Sequence, residues 1–276
     1  MIYVLGMSHV INVLKAASAG ALAMTHQNWS EMTSGGAFFD VEAKPALVHE
    51  GRMKAFVVSR ATGWGSVAEI RNQPDGQKQL LAAEGYVNLL LSLEALQEGN
   101  ILFSFMHGNE HSMLSLVQHE TPYDFQLPWR PDLALLPGRQ PIPFEVIKRQ
   151  VEKALSPAIA CVAMMRNKLP TMRIVHVAPP PPVASEARIN QAPEVFRELI
   201  ERDGITPLSI RVKYYLLSIR LLSESLKVFN VAMLECPPDA LGPDGALNDE
   251  LTYGATHGNE AYGELVLQQM QAVASA

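Results

Sequence analysis

Four short apolar runs constrain this chain more than any other feature: Ile2 to Leu5, Ile101 to Phe105, Met172 to Val177 and Phe229 to Leu234. None alternates regularly between polar and apolar residues, as a strand with one wet face would. Each is rich in Val, Ile, Leu or Phe and reaches Gly or Pro within a few residues, so each reads as a strand covered on both faces. The segments between them read as helices. Strands alternating with helices imply right-handed βαβ crossovers, and hence one doubly wound, mainly parallel sheet. The expected architecture is α/β: a three-layer α/β/α domain of flavodoxin-like type spanning residues 1–276.

The clearest helix is Pro207 to Lys227, with Thr206 as N-cap and Pro207 at the first helical position. Leu208, Val212, Tyr215, Leu216, Ile219, Leu222 and Leu226 form one stripe, with Arg211, Lys213 and Arg220 largely off it. Phe144 to Met165 predicts a second helix, with Pro157 placed to bend or split it. From about Asn259 the pattern Tyr262, Val266, Met270, Val273 predicts a last helix, and Ser8 to Ala19 a first one. Pro179 to Pro182 must be extended, since proline fixes φ and lacks an N–H. Residues 35–79 read as an irregular insertion. Phe38 to Val41, Ala46 to Val48 and Ala55 to Val58 are strand-like there, predicting an added hairpin or edge strand. Thr121 to Pro143 carries six prolines and reads as a long loop over the edge of the sheet.

Charge narrows the possible partners. Lys and Arg number 22 against 28 Asp and Glu, a formal charge of −6. That balance argues against nucleic acid, which needs clustered positive charge. No run approaches the ~18 apolar residues of a membrane helix. The N-terminus has no basic n-region, and its first apolar stretch is broken by Gly6, Ser8 and His9, so a cytoplasmic location is expected. Cys161 and Cys236 cannot build a disulfide framework.

In an open α/β sheet ligands bind beyond the carboxyl ends of the strands. Gly6-Met7-Ser8-His9 follows the first run, and His107-Gly108-Asn109-Glu110-His111 follows the second. Thr256-His257-Gly258-Asn259 precedes the last helix. A serine hydroxyl needs a base to become a nucleophile, and neutral histidine suits that task near pH 7. The oxyanion that follows needs preorganised N–H donors, which an Asn amide and the backbone at a helix start can supply. Each residue also has an ordinary reading: Ser8 as an N-cap, Asn109 as a turn residue, His257 as a cap or surface histidine.

Taken in order, these segments resemble the blocks of the SGNH (GDSL-like) hydrolases. Gly6-Met7-Ser8-His9 resembles the first block, with Met7 where many members have Asp. His107-Gly108-Asn109-Glu110 resembles the third, with His107 in place of its first glycine. His257-Gly258-Asn259 followed by Ala261-Tyr262-Gly263 resembles the last. The resemblance implies a serine esterase or acyl hydrolase, acting on a small-molecule or carbohydrate ester and using no cofactor and no metal. Ser8 would be the nucleophile and His257 the base, with the Ser8 amide and Asn109 forming the oxyanion hole. The family's catalytic Asp, three residues before the His, is absent: that position is Gly254. Asp249, Glu250 or a backbone carbonyl could substitute, the last leaving a Ser-His dyad. The second-block glycine is open among Gly35, Gly36, Gly63 and Gly65.

The gap at Gly254 motivates an alternative: a non-catalytic glycan binder or an acyltransferase on the same fold. His107 to His111 also matches H-x-x-E-H, a zinc-peptidase motif. Gly108 and Asn109 are poor helix formers, however, and that motif needs a helix under both ligands. Gly63-Trp64-Gly65 lacks the Gly-Lys-Ser/Thr of a phosphate loop, and no G-x-G-x-x-G follows a strand.

Overall fold

Strand β1 (Ile2–Gly6) shows how the sheet is covered. Tyr3 and Leu5 enter one buried cluster while Ile2 and Val4 enter another, on the opposite face. That is the period-two geometry of a strand between two apolar layers. The computed structural model describes residues 1–20, 22, 24–27, 34–42, 44, 52–60, 67–94, 99–106 and 108–276. After β1 come helix α1 (Val10–Ala17) and strands β2 (Met24–Gln27), β3 (Ser34–Glu42) and β4 (Arg52–Arg60). A ribbon of β5 (Ala68–Asn72) and β6 (Lys78–Ala82) leads to α2 (Glu84–Leu93), β7 (Ile101–Phe105) and α3 (Glu110–Ser115). Two short strands, β8 (Tyr123–Asp124) and β9 (Gln140–Pro141), precede α4 (Phe144–Lys168) and β10 (Arg173–Val177). The chain continues through α5 (Glu186–Gln191), α6 (Arg197–Asp203), α7 (Leu208–Lys227) and β11 (Ala232–Leu234). The hairpin β12 (Thr252–Tyr253) and β13 (His257–Gly258) then leads into α8 (Glu260–Ser275).

The main sheet runs β11-β10-β7-β1-β4-β3-β2. Strands β4, β1, β7, β10 and β11 are mutually parallel, and β3 and β2 extend the sheet antiparallel. In chain order the parallel strands stand 2-1-3-4-5, the flavodoxin-like arrangement, whose switch point lies between β1 and β7. Helices α1 and α8 cover one face, with Val13, Leu14, Val266 and Met270 buried there. Helices α2, α4 and α7 cover the other, with Leu90, Val162 and Leu217. The fold is therefore a three-layer α/β/α sandwich with a mainly parallel sheet.

Several local expectations change. Within 35–79 the expected hairpin forms, β3 against β4, but β4 is no edge strand, since it pairs directly with β1, and β5 and β6 make a separate two-stranded ribbon. The strand read at Ala46 to Val48 lies outside the described residues. Helix α4 runs unbroken through Pro157. Pro207 is the N-cap of α7 rather than its first residue, and the hydroxyl of Thr206 does not cap it. The loop from Thr121 to Pro143 covers helices rather than a sheet edge. Asp124 meets the Lys213 ammonium of α7 at 2.8 Å and the Arg220 guanidinium lies 4.1 Å from the Trp129 ring centre. Lys213 is accordingly buried at 0% exposure, and Arg211, also off the apolar stripe, is buried at 2%, donating to the Thr206, Val183 and Ala184 carbonyls. Neither Cys161 nor Cys236 is in a disulfide.

Candidate active site

Strands β1 and β7 end side by side at the switch point, with Gly6 opposite Phe105. The chain leaves β1 toward α1 on one face, whereas α3 and α4 after β7 contribute to the other, so the two turns diverge and leave a crevice. Ser8 lies in the first turn and Asn109 in the second. The Met7 N–H donates to the Phe105 carbonyl at 3.2 Å, pinning the Ser8 turn to the end of β7. The N-cap of α1 is His9, not Ser8, and Asn109 sits at the N-cap of α3 without capping it through its side chain. Both polar side chains are thus released from helix capping.

The Ser8 hydroxyl, exposed at the surface, meets the His257 ring instead: Oγ lies 3.0 Å from Nε2. His257 opens β13, and the hairpin is tied to α1 by the Asn12 amide, which donates to the Gly258 carbonyl at 2.8 Å. One helical turn after Ser8, Asn12 therefore sets the distance between hydroxyl and imidazole. Asn259 caps α8 by accepting from the Tyr262 N–H at 3.1 Å, the helix start read from the sequence.

The carboxylate behind the imidazole is Glu194, which sequence reasoning did not single out. Its Oε1 lies 2.8 Å from His257 Nδ1, and its Oε2 accepts from the Thr256 hydroxyl at 2.7 Å. Thr256 Oγ1 is also 2.9 Å from Nδ1. Because the hydroxyl proton goes to Glu194, the Nδ1–H is shared between carboxylate and hydroxyl, which leaves Nε2 unprotonated and facing Ser8. Neither Asp249 nor Glu250 takes this position: both lie in a short 3-10 turn before β12. The substitution has a steric counterpart at Gly254. Its φ is +63°, and a Cβ there would stand 2.6 Å from Glu194 Oε1. The Glu194 carboxylate fills the space that a side chain at 254 would need.

Glu194 itself has φ +54°, a left-handed conformation that costs a non-glycine residue about 1–3 kcal/mol. A small apolar cluster holds it there. Phe196 and Ile200, just after Glu194, pack with Ile189, Val183 and Leu116 around Ala255 in the hairpin turn. Burial of this cluster clamps the Glu194 segment onto the loop that carries His257. The resulting pair is mostly enclosed, with side chains 15% exposed for His257 and 24% for Glu194.

Asn109 reaches the same crevice. Its Oδ1 is 2.8 Å from His9 Nε2, and Asn109 lines, with Ser8, His9, Gly108 and Met7, a cavity of about 390 Å³. Met113, Leu114, Ala154 and Pro157 give that cavity an apolar wall. Of the second-block candidates, Gly35 and Gly36 are ladder residues of β3, whereas Gly63 and Gly65 lie outside the described residues. Of the zinc-peptidase pair, His107 lies outside them too. His111 is 2% exposed and edge-on to the Tyr215 ring, and burial lowers its pKa to about 4. No helix among the described residues is long and apolar enough to cross a membrane.

No family model and no curated protein matches this chain. Among solved structures it is similar to a GDSL-like lipase from Bacteroides thetaiotaomicron, at 7% identity and a TM-score of 0.45, covering 99% of this chain and 87% of that one. It is also similar to the periplasmic domain of a lipopolysaccharide acetyltransferase from Salmonella ser. Paratyphi A, at 8% identity and a TM-score of 0.45, covering 100% of this chain and 83% of that one. The roles of individual residues rest on the geometry described above.

Proposed function

We propose that this chain is an SGNH-type serine acyl hydrolase cleaving an ester through Ser8, His257 and Glu194. The observation that carries the reading is one unbroken hydrogen-bonded path. Ser8 Oγ lies 3.0 Å from His257 Nε2, and Nδ1 of the same ring lies 2.8 Å from Glu194. A nucleophile, a base and a group orienting the base are within bonding reach, at the strand ends where such folds bind ligands.

In this scheme Ser8 Oγ attacks the ester carbonyl carbon and its proton passes to His257 Nε2. Glu194 stabilises the imidazolium so formed and holds the ring in the tautomer that can accept. The oxyanion is met by the Ser8 backbone N–H and the Asn109 carboxamide. Collapse breaks the bond to the leaving oxygen, which takes the proton from His257. A water deprotonated by the same ring then attacks the acyl-enzyme, releasing the carboxylic acid and restoring Ser8. The apolar wall of Met113, Leu114, Ala154 and Pro157 suits an aliphatic acyl group.

Glu194 removes the feature that favoured a non-catalytic binder, since the carboxylate missing at Gly254 is supplied from elsewhere. The test is hydrolysis of nitrophenyl esters of increasing acyl length by purified protein, with fluorophosphonate labelling mapped by mass spectrometry. Hydrolysis and labelling at Ser8, both abolished in Ser8→Ala, are the expected result. Equal rates for wild type and Ser8→Ala, or labelling elsewhere, would reject the serine mechanism.

A further inference from the structure

One ring at the site takes no part in the proton path. His9 stacks on the His257 imidazole, with centroids 4.5 Å apart and planes inclined by 30°. Its Nε2 lies 2.8 Å from Asn109 Oδ1. A carboxamide oxygen only accepts, so His9 carries its proton on Nε2 and donates it. Holding Oδ1 in this way settles which end of the carboxamide points where: the oxygen faces His9 and the NH₂ group is turned away from it. No acceptor among the described residues takes the Asn109 Nδ2 hydrogens. Asn109 lines the same cavity as Ser8.

Resting on the acyl-hydrolase reading, we propose that His9 is a positioning residue: it orients the Asn109 carboxamide as an oxyanion donor over Ser8 and fixes the plane of the His257 ring. Gly108 supports the assignment independently. It has φ +136°, and a Cβ there would lie 2.8 Å from His9 Cδ2 and 3.1 Å from Nε2. The turn after β7 is therefore bare where the His9 ring lies against it.

Charge fits the same role. Two stacked imidazoles cannot both be cationic at this distance without strong repulsion, so one must stay neutral. Burial above all, with His257 beside it, lowers the pKa of His9 to about 3. The proton leaving Ser8 thus goes to His257, which has Glu194 behind it, and His9 neither competes for it nor loses its hold on Asn109. An unpositioned carboxamide could present its oxygen to the developing oxyanion, which would repel it rather than stabilise it.

Two variants separate the ring from its donor. His9→Phe keeps a ring against His257 but cannot donate. His9→Gln places an amide nitrogen the same number of bonds from the backbone as Nε2 and keeps the donor. Expected for His9→Phe is a loss of about ten- to a hundredfold in kcat with KM little changed, the mark of an interaction used in the transition state. His9→Gln should recover most of it. On an Asn109→Ala background, His9→Phe should cost nothing further, whereas a merely structural role would cost the same in both backgrounds. Undiminished kcat in His9→Phe, or independent losses in the double variant, overturns the proposal alone. Wild type that neither hydrolyses esters nor labels at Ser8 overturns the acyl-hydrolase reading and this proposal with it. Nitrogen-15 spectra of the wild-type imidazoles decide the tautomer without any activity: His9 protonated at Nε2 at pH 7 is expected. Protonation at Nδ1, or exchange between the two, overturns the proposal even if a variant fails to fold.

Discussion

Glu194→Gln removes one charge from the candidate site and almost nothing else. The amide matches the carboxylate in shape, and its oxygen can still accept the His257 Nδ1–H while its NH₂ faces the Thr256 hydroxyl. What disappears is the attraction between carboxylate and imidazolium once Ser8 has given up its proton. With Nδ1 and Oε1 2.8 Å apart, the delocalised charges are centred about 4 Å from each other. At an effective dielectric near 20 that attraction is about 4 kcal/mol. The side chains are 15% and 24% exposed, so water recovers part of it. About 3 kcal/mol remains, about a hundredfold in kcat/KM.

The assay is steady-state hydrolysis of a nitrophenyl ester, with thermal melting to confirm an intact fold. Glu194→Ala should lie within about threefold of Glu194→Gln, because Thr256 Oγ1, 2.9 Å from Nδ1, remains as an acceptor and keeps the tautomer. A Glu194→Gln enzyme within about threefold of wild type would refute the reasoning, since no screening of so enclosed a pair leaves so little.

Other expectations test the same framework. Gly254→Asp should rescue part of the activity lost in Glu194→Ala, because position 254 abuts the vacated carboxylate site and Asp tolerates φ +63° better than most residues. No gain in that double variant would count against the two positions sharing one space. His111, buried and neutral, should make stability depend on pH. Its pKa is about 4 in the fold and about 6.5 unfolded, so the unfolded chain binds more protons between those values. Stability is complete above pH 6.5 and falls toward pH 4, by about 3 kcal/mol from this group. His111→Leu should flatten that part of the melting-temperature profile, and an unchanged slope would refute it. Lys213→Met leaves the Asp124 carboxylate, 1% exposed on its side chain, without its ammonium and should cost about 3–5 kcal/mol in denaturant unfolding. A loss under about 1 kcal/mol would mean that the Phe125 and Leu136 N–H groups satisfy Asp124 unaided.

Most of the layer plan was legible because it depends on short-range regularities. The runs at Ile2 and Ile101 are β1 and β7 almost to the residue, and the periodic stretches from Phe144, Pro207 and Asn259 are α4, α7 and α8. Ser8, Asn109 and His257 stand out as candidates for the same reason: each lies in a recognisable turn beside a strand or helix start. Arg211 and Lys213 lie off the apolar stripe of α7 and are nonetheless buried, since helical spacing says which residues share a side but not what covers it. Residues 121–143 bring Asp124 and Ala134 onto Lys213 and bury its charge.

Glu194 shows the other limit. It lies 63 residues before His257, in a stretch that also contains Glu186, Glu198, Glu201 and Asp203, and nothing local marks it. A histidine needs only a carboxylate at the right point in space, and any stretch of backbone passing there can supply it. Repeat spacing and turn residues, which act over a few bonds, mark β1, β7 and β10 and the helices α4, α7 and α8. Which carboxylate would stand behind His257, and which ring would hold Asn109, was decided only when Phe196 and Ile200 packed on Ala255 and the ends of β1 and β7 met. Those contacts join distant segments, by apolar burial in the cluster around Ala255 and by ladder hydrogen bonds between β1 and β7, and neither leaves a local trace in the order of residues.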